Sequence, residues 1–132
     1  MAKLVKSIYT GSDVTSLGEV TPTDSIEDAY KWSGSQRGVV VTDNDGSFDL
    51  NAGNNFGCTP AGAITLTFTN IPSDSQSGFI KLDNTGGQVI SAAATTKVDA
   101  SILATLSTAG VYMVSYYADG TNVYLTNSLV YT

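Results

Sequence analysis

Apolar and hydroxyl-bearing residues alternate through AITLTFT at 63–69. Ile64, Leu66 and Phe68 therefore share one face, and Thr65, Thr67 and Thr69 the other. That period of two is the mark of a half-buried β-strand. Asn70-Ile71-Pro72-Ser73-Asp74 turns the chain, and 78–82 returns as a strand. Asn84-Thr85-Gly86-Gly87 turns it again, into 88–91. A last hairpin is predicted from 110–118 and 122–126, flanking Asp119-Gly120-Thr121. In its first arm Val111, Met113, Ser115 and Tyr117 share one face, and Tyr112, Val114, Tyr116 and Ala118 the other. Both faces carry apolar mass. This predicts a central strand covered on both sides, by its own chain or by a neighbouring subunit. Leu129-Val130-Tyr131 adds a short final strand.

The earlier part of the chain is less regular. KLVKSIY at 3–9 reads as a first strand. Val14, Leu17 and Val20 are spaced by three, which suits a loose extended segment or a single turn. Asp24-Ser25-Ile26-Glu27 has the form of a capping box, and Ile26, Ala29 and Tyr30 follow it at helical spacing, so a short helix is predicted near 25–32. Val39-Val40-Val41-Thr42, Asp43-Asn44-Asp45-Gly46 and Ser47-Phe48-Asp49-Leu50 read as a hairpin on an Asp-Gly turn. Between 92 and 110, Val98, Ile102, Leu103 and Leu106 have partly helical spacing. The frequent Ser and Thr argue for an irregular connection there instead.

About eight short strands separated by turn chemistry predict an all-β fold, an antiparallel β-sandwich of jelly-roll kind. Residues 1–37 form an N-terminal arm and connecting segment, and 38–132 the sandwich, in one compact unit overall. No tandem repeat with a period of ~20–50 residues is visible.

Composition narrows the function. The net charge is −6, with 12 acidic residues against 6 basic ones, which disfavours nucleic acid and anionic membrane surfaces as partners. Only 14% of residues are charged, so solubility comes largely from hydroxyls and amides. No histidine is present and Cys58 is the single cysteine, which removes an intrachain disulfide and a Cys/His zinc site. Cys58 reads as a small partly buried filler. The segment MAKLVKSIYTGSDV lacks the apolar core of a secretory signal, and no stretch reaches the ~20 apolar residues of a membrane span.

Candidate chemistry is sparse. Asp43, Asp45, Gly46 and Asp49 imitate a calcium loop, but the glutamate that would close such a loop is missing and a solvated turn accounts for them. Asp13, Glu19, Asp24, Glu27 and Asp28 could pair as glycosidase carboxylates, yet their spacing is that of ordinary surface acidity. Serine nucleophiles lack a histidine base, and Lys81 and Lys97 stand in plain strand or loop contexts. Gly86-Gly87 is too short to cradle a phosphate. Tyr112, Tyr116, Tyr117 and Tyr124, with Trp32, could make a sugar-stacking face, although tyrosine on strands more often serves core or interface. No catalytic residue, metal ligand or cofactor site is assigned.

Several pieces, in this order and spacing, resemble a β-module of tailed-bacteriophage virion proteins, especially those of cyanobacterial and marine phages. They are Ser47-Phe48-Asp49-Leu50, the run from Thr65 through Phe68 to Pro72, Ser77-Gly78-Phe79-Ile80, Thr85-Gly86-Gly87, and the run from Val111 through Tyr117 to Asn122. Ser7-Ile8-Tyr9-Thr10-Gly11 and Val14 to Glu19 are similar to the leading segments of such proteins. The resemblance implies a non-enzymatic structural protein. The chain lacks the long shaft of a fibre, which favours a capsid decoration or cement protein on the head exterior. The alternative is a short tail-fibre, spike or tail-tip protein, with a host-glycan-binding surface. The implied partner is the major capsid protein, with assembly in the bacterial host cytoplasm and a final place in the virion. Exposed strand edges imply a homo-oligomer, and the resemblance implies a trimer first and a dimer second. The expected grip is the N-terminal arm: Lys3 and Lys6 supply charge, and Leu4, Val5, Ile8 and Tyr9 supply anchors for strand addition to a capsid edge.

Overall fold

The structure, a computed structural model, describes residues 5–10, 13–19, 38–128 and 130–131, with side chains from residue 38 onward. The chain divides into two compact units, Met1–Ser35 and Gln36–Thr132. In the first, β1 (Val5–Thr10) pairs antiparallel with β2 (Asp13–Glu19), with a register shift between Ile8 and Tyr9. The loose segment expected around Val14 and Leu17 is thus a strand. Backbone pairing to β1, rather than an alternating side-chain pattern, defines it. The helix expected at 25–32 lies outside the described residues.

The second unit holds β3 (Val40–Thr42), β4 (Ser47–Asp49), β5 (Asn55–Cys58), β6 (Ile64–Thr69), β7 (Gln76–Asn84), β8 (Ile90–Ala92), β9 (Thr96–Lys97), α1 (Ala100–Leu106), β10 (Gly110–Ala118) and β11 (Val123–Asn127). Six strands form one sheet in the order β3-β5-β7-β10-β11-β9, and three form another in the order β4-β6-β8. From β3 to β9 every link carries the chain from one sheet to the other. It winds like a short solenoid, and successive coils stack in parallel: β3 on β5 on β7 in one sheet, β4 on β6 on β8 in the other. Only then do β10 and β11 add antiparallel strands, followed by β9 parallel to β11.

The all-β class therefore holds, with α1 as the one helix among the described residues and at a place where none was expected, and the antiparallel expectation is corrected to a mixed pairing. The clearest case is the hairpin read at 39–50. Its two arms lie in different sheets, and Asp43–Gly46 is a corner. Gly46, at φ +86, turns there, and its carbonyl accepts from the amide of Thr67 on the next coil. The coil offsets also differ, from Val40 to Asn55 and from Asn55 to Phe79, so no fixed period marks the sequence.

One core lies between the inward faces. In the large sheet, ladder rows run in register through Val41, Phe56, Ile80 and Val114, and through Cys58, Leu82 and Tyr112. Phe48, Leu66, Phe68 and Ile90 face them from the small sheet. Four rings join the two layers in a closed circuit. Phe48 lies 5.2 Å from Phe56 and 5.4 Å from Phe68, and Tyr116 lies 6.3 Å from Phe56 and 5.3 Å from Phe68. Such tilted contacts add to the area these rings bury.

Two polar devices lock the winding. Tyr116 lies opposite Gly78, and its hydroxyl donates to the Asn54 carbonyl at 2.9 Å, which also accepts from the amide of Phe79. A Cβ on Gly78 would fall 1.7 Å from that same carbonyl oxygen, so only glycine lets the β4–β5 link approach β7. Asn84 is fully buried and its side chain is satisfied at both ends. Its amide donates to the carbonyls of Gln88 (2.9 Å) and Leu106 (2.8 Å), and its oxygen accepts from the Gln88 amide (2.8 Å). One side chain thus ties the β7–β8 corner to the end of α1.

The helix occupies the stretch that Ser and Thr content argued against. Asp99 caps it by accepting from the amide of Ser101, and Leu106 is buried while Ile102 and Leu103 pack against the core. Its hydroxyls bond back to carbonyls one turn earlier, Thr105 to Ser101 and Ser107 to Leu103, so they do not compete with the helix.

Asn84→Ala is expected to cost about 3 kcal/mol, because it strands buried backbone groups at two sites. Gly78→Ala is expected to cost at least about 2 kcal/mol through the clash with Asn54. Urea unfolding curves check both, with a lowered midpoint as the expected outcome.

Candidate interaction surface

The outward face of the six-stranded sheet is built by the residues that alternate with the core rows. On β7 these are Ser77, Phe79, Lys81 and Asp83, on β10 Val111, Met113, Ser115 and Tyr117, and on β11 Tyr124 and Thr126. Tyr117 stands directly opposite Tyr124, and Phe79 opposite Ser115. About half of each ring is exposed: 51% for Phe79, 50% for Tyr117 and 46% for Tyr124. Tyr131 continues the apolar strip by bridging to Val111, its amide donating to the Val111 carbonyl at 2.8 Å. Hydroxyls are interleaved, and those of Ser115 and Thr126 bond to each other. Asp83 Oδ1 is enclosed on this sheet without a hydrogen-bond partner among the described residues.

The tyrosines named from sequence are divided by the sheet. Tyr112 and Tyr116 are core residues, whereas Tyr117 and Tyr124 face outward; Trp32 lies outside the described residues. The Tyr124 hydroxyl is raised above its ordinary pKa, first by its hydrogen bond with Asp119 and then by that carboxylate's charge.

The acidic turn is used locally. Asp45 Oδ1 accepts from the Ser47 amide (2.8 Å), and Asp43 Oδ1 from the Asp45 amide (3.2 Å). Asp49 Oδ1 accepts from the Asn51 amide (2.9 Å) and the Asn70 side chain (2.8 Å). Among the described residues no three His, Cys, Asp or Glu side chains are grouped to hold a metal ion. Of the five acids weighed for glycosidase work, Asp13 and Glu19 end β2 and the others lie outside the described residues. Lys97 donates to the Ala94 carbonyl at 2.6 Å, and Lys81 is exposed. Gly86 and Gly87 sit in the turn that Asn84 organises.

Cys58 is more deeply placed than the sequence implied, with 1% exposure. Burial, reinforced by the negative charges of Asp43 and Asp45, pushes its thiol up to about 11. It therefore stays protonated and weakly nucleophilic near neutrality.

Of the expected grip residues, Val5, Lys6, Ile8 and Tyr9 lie on β1, opposite Glu19, Gly18, Ser16 and Val14, while Lys3 and Leu4 lie outside the described residues. Comparison with known proteins finds no matching family model, curated protein or solved structure. Sequence reasoning had separated the two faces of β10 and grouped Tyr117 with Tyr124, but had not placed Phe79 on the same face beside them. The alternation assigns a face to each residue, and only the sheet order supplies its neighbours.

Two measurements check this electrostatics. Cys58 is expected to resist alkylation in the native protein at pH 8 and to react fully in denaturant, as mass spectrometry of the adduct would show. Asp49, Asp99 and Asp119 are all held below the usual carboxylate value of 3.8, by hydrogen bonds from Asn70 and Asn51, from Ser101, and from Asn122 and Thr121 respectively. Their stabilisation is present above 3.8 and is lost as pH falls through the lower folded values. Asp43 acts in the opposite sense, since burial raises it first and Asp45 then adds to the effect. The net expectation is a falling melting temperature as pH drops below about 4, followed by circular dichroism.

Proposed function

We propose that this chain is a non-enzymatic structural protein of a tailed-phage virion, a decoration or cement protein that binds the outside of the capsid. The observation that supports this best is the outer face of the large sheet. Phe79, Tyr117, Tyr124 and Tyr131, with Met113 and Val111 beside them, form an extended, half-exposed apolar strip on a sheet whose other side is a finished core. Exposed apolar rings gathered on one sheet face in this way are characteristic of an interaction surface. The resemblance of Ser47 to about Asn127 to phage virion modules supplies the context.

In this reading the mechanism is mechanical. The protein bridges neighbouring capsid subunits, and apolar area buried at many repeated contacts resists internal pressure. Interfaces of ~800 Å² per partner, multiplied over a lattice, supply such reinforcement. The N-terminal β1–β2 hairpin, with Lys6 in an otherwise acidic chain, is the proposed grip on the capsid protein. A two-stranded hairpin is marginal alone and gains stability when a further strand joins it.

A second reading is a short tail fibre or spike that contacts a host glycan. The Tyr117–Tyr124 pair, flanked by the Ser115 and Thr126 hydroxyls, supports it, because rings beside hydroxyls suit a sugar face.

Quantitative mass spectrometry of purified particles separates the two readings. A decoration protein is expected at a stoichiometry comparable to the major capsid protein, and a few dozen copies per particle would overturn that reading in favour of the tail. Removing residues 2–9 is expected to leave a folded protein that no longer co-sediments with capsids.

A further inference from the structure

The two sheets of the second unit have four edges, and at three of them local hydrogen bonds take up edge-facing amides. At β8 the edge-facing amide of Ile90 donates to the Ser107 hydroxyl at the end of α1 (2.9 Å). At β9, only two residues long, the Thr96 amide donates to the Ala93 carbonyl and the Thr96 hydroxyl to the Leu66 carbonyl. At β4 the amides that face away from β6 belong to odd-numbered positions, since Gly46 and Leu50 bond to the β6 side. Of these, the Ser47 amide is taken by the Asp45 carboxylate, and that of Asn51, just beyond the strand, by Asp49. Carboxylates along an edge also repel an incoming acidic chain.

The β3 edge has none of these covers. Asp43 donates to the Gly57 carbonyl, so odd positions of β3 face β5, and the backbone groups of Val40 and Thr42 point off the sheet. Among the described residues no strand or side chain covers them. Val39 and Val40 are 75% and 62% exposed, and the stretch from Gly38 to Thr42 carries no charge. Such an edge invites another strand.

We propose that the occupant is a second copy of this chain, its β3 pairing antiparallel with the first across a two-fold axis through Val40. Two features of the strand suit its own copy in this register. The outward-pointing backbone groups are at even positions, so Val40 pairs with Val40 and Thr42 with Gly38 in hydrogen-bonded pairs. Val39 of one copy then stands beside Val41 of the other on the core side, and continues the Val41–Phe56–Ile80–Val114 row into a joint twelve-stranded sheet. Of the two oligomers expected from the sequence, this geometry selects the dimer, and it does so independently of where the protein works.

The contact is small, so association is expected to be weak, with half-dimerisation at ~10–100 µM. Sedimentation of the full chain over ~1–500 µM is expected to show a monomer–dimer equilibrium. Amide exchange at Val40 and Thr42 is expected to slow as concentration rises. Val40→Lys and Val40→Glu each place like charges opposite one another on the axis and are expected to weaken the dimer about tenfold. An equimolar mixture of the two variants is expected to recover association as a heterodimer. Protection of Cys58 from alkylation reports that both variants are folded. A trimer, a monomer throughout, or protection of Val40 and Thr42 that does not depend on concentration would each overturn the proposal. So would homodimers indifferent to charge at Val40, or a mixture that fails to recover.

Discussion

The packing of Phe48, Phe56, Phe68 and Tyr116 into one closed circuit is the interaction on which the rest of the second unit depends. These rings come from β4, β5, β6 and β10, so they join the two sheets and also join coils that are distant in sequence. A chain that crosses between sheets at every corner from β3 to β9 cannot form either sheet alone, because each coil contributes to both at once. The ring circuit is where that double requirement is met. Gly78 and the Tyr116 hydroxyl extend it, since the space left by a missing Cβ lets the Asn54 carbonyl reach the ring hydroxyl and the β7 backbone together.

The same winding explains the distribution of polar groups. Parallel stacking leaves rows of edge-facing amides, and most are answered by a nearby hydroxyl, carbonyl or carboxylate. Ser107, Ala93, Asp45 and Asp49 do this work at three edges. The acidic excess of the chain thus has a structural use, placing carboxylates where amides would otherwise be open. Apolar exposure is concentrated on the outer face of the large sheet and at β3, and an assembly role is proposed from that concentration.

Much of the second unit was legible beforehand. The faces of β6 and β10 follow directly from the alternation of Ile64 to Thr69 and of Val111 to Ala118, and the burial of Leu66, Phe68, Tyr112 and Tyr116 agrees with it. The final β10–β11 hairpin also holds, because Asp119 accepts from the amides of Thr121 and Asn122 and closes a short local turn. The helix was obscured by its hydroxyl residues, whose bonds to preceding carbonyls cannot be seen in composition. The Asp43–Gly46 turn was misread because its chemistry, carboxylates accepting from amides two residues on, serves a hairpin and a corner equally well.

What the sequence alone determined, then, was which side of each strand is dry and where the chain bends. A period of two is a property of the local backbone, so it survives in any sheet that has one buried face. Apart from the final hairpin, which strand lies beside which was decided only in three dimensions. Hydrogen-bond partners along a sheet are interchangeable backbone groups that carry no residue signature, and the direction a chain leaves a corner depends on contacts such as Gly46 with Thr67 and Asn84 with Leu106. Those contacts turned a series of apparent hairpins into stacked parallel coils.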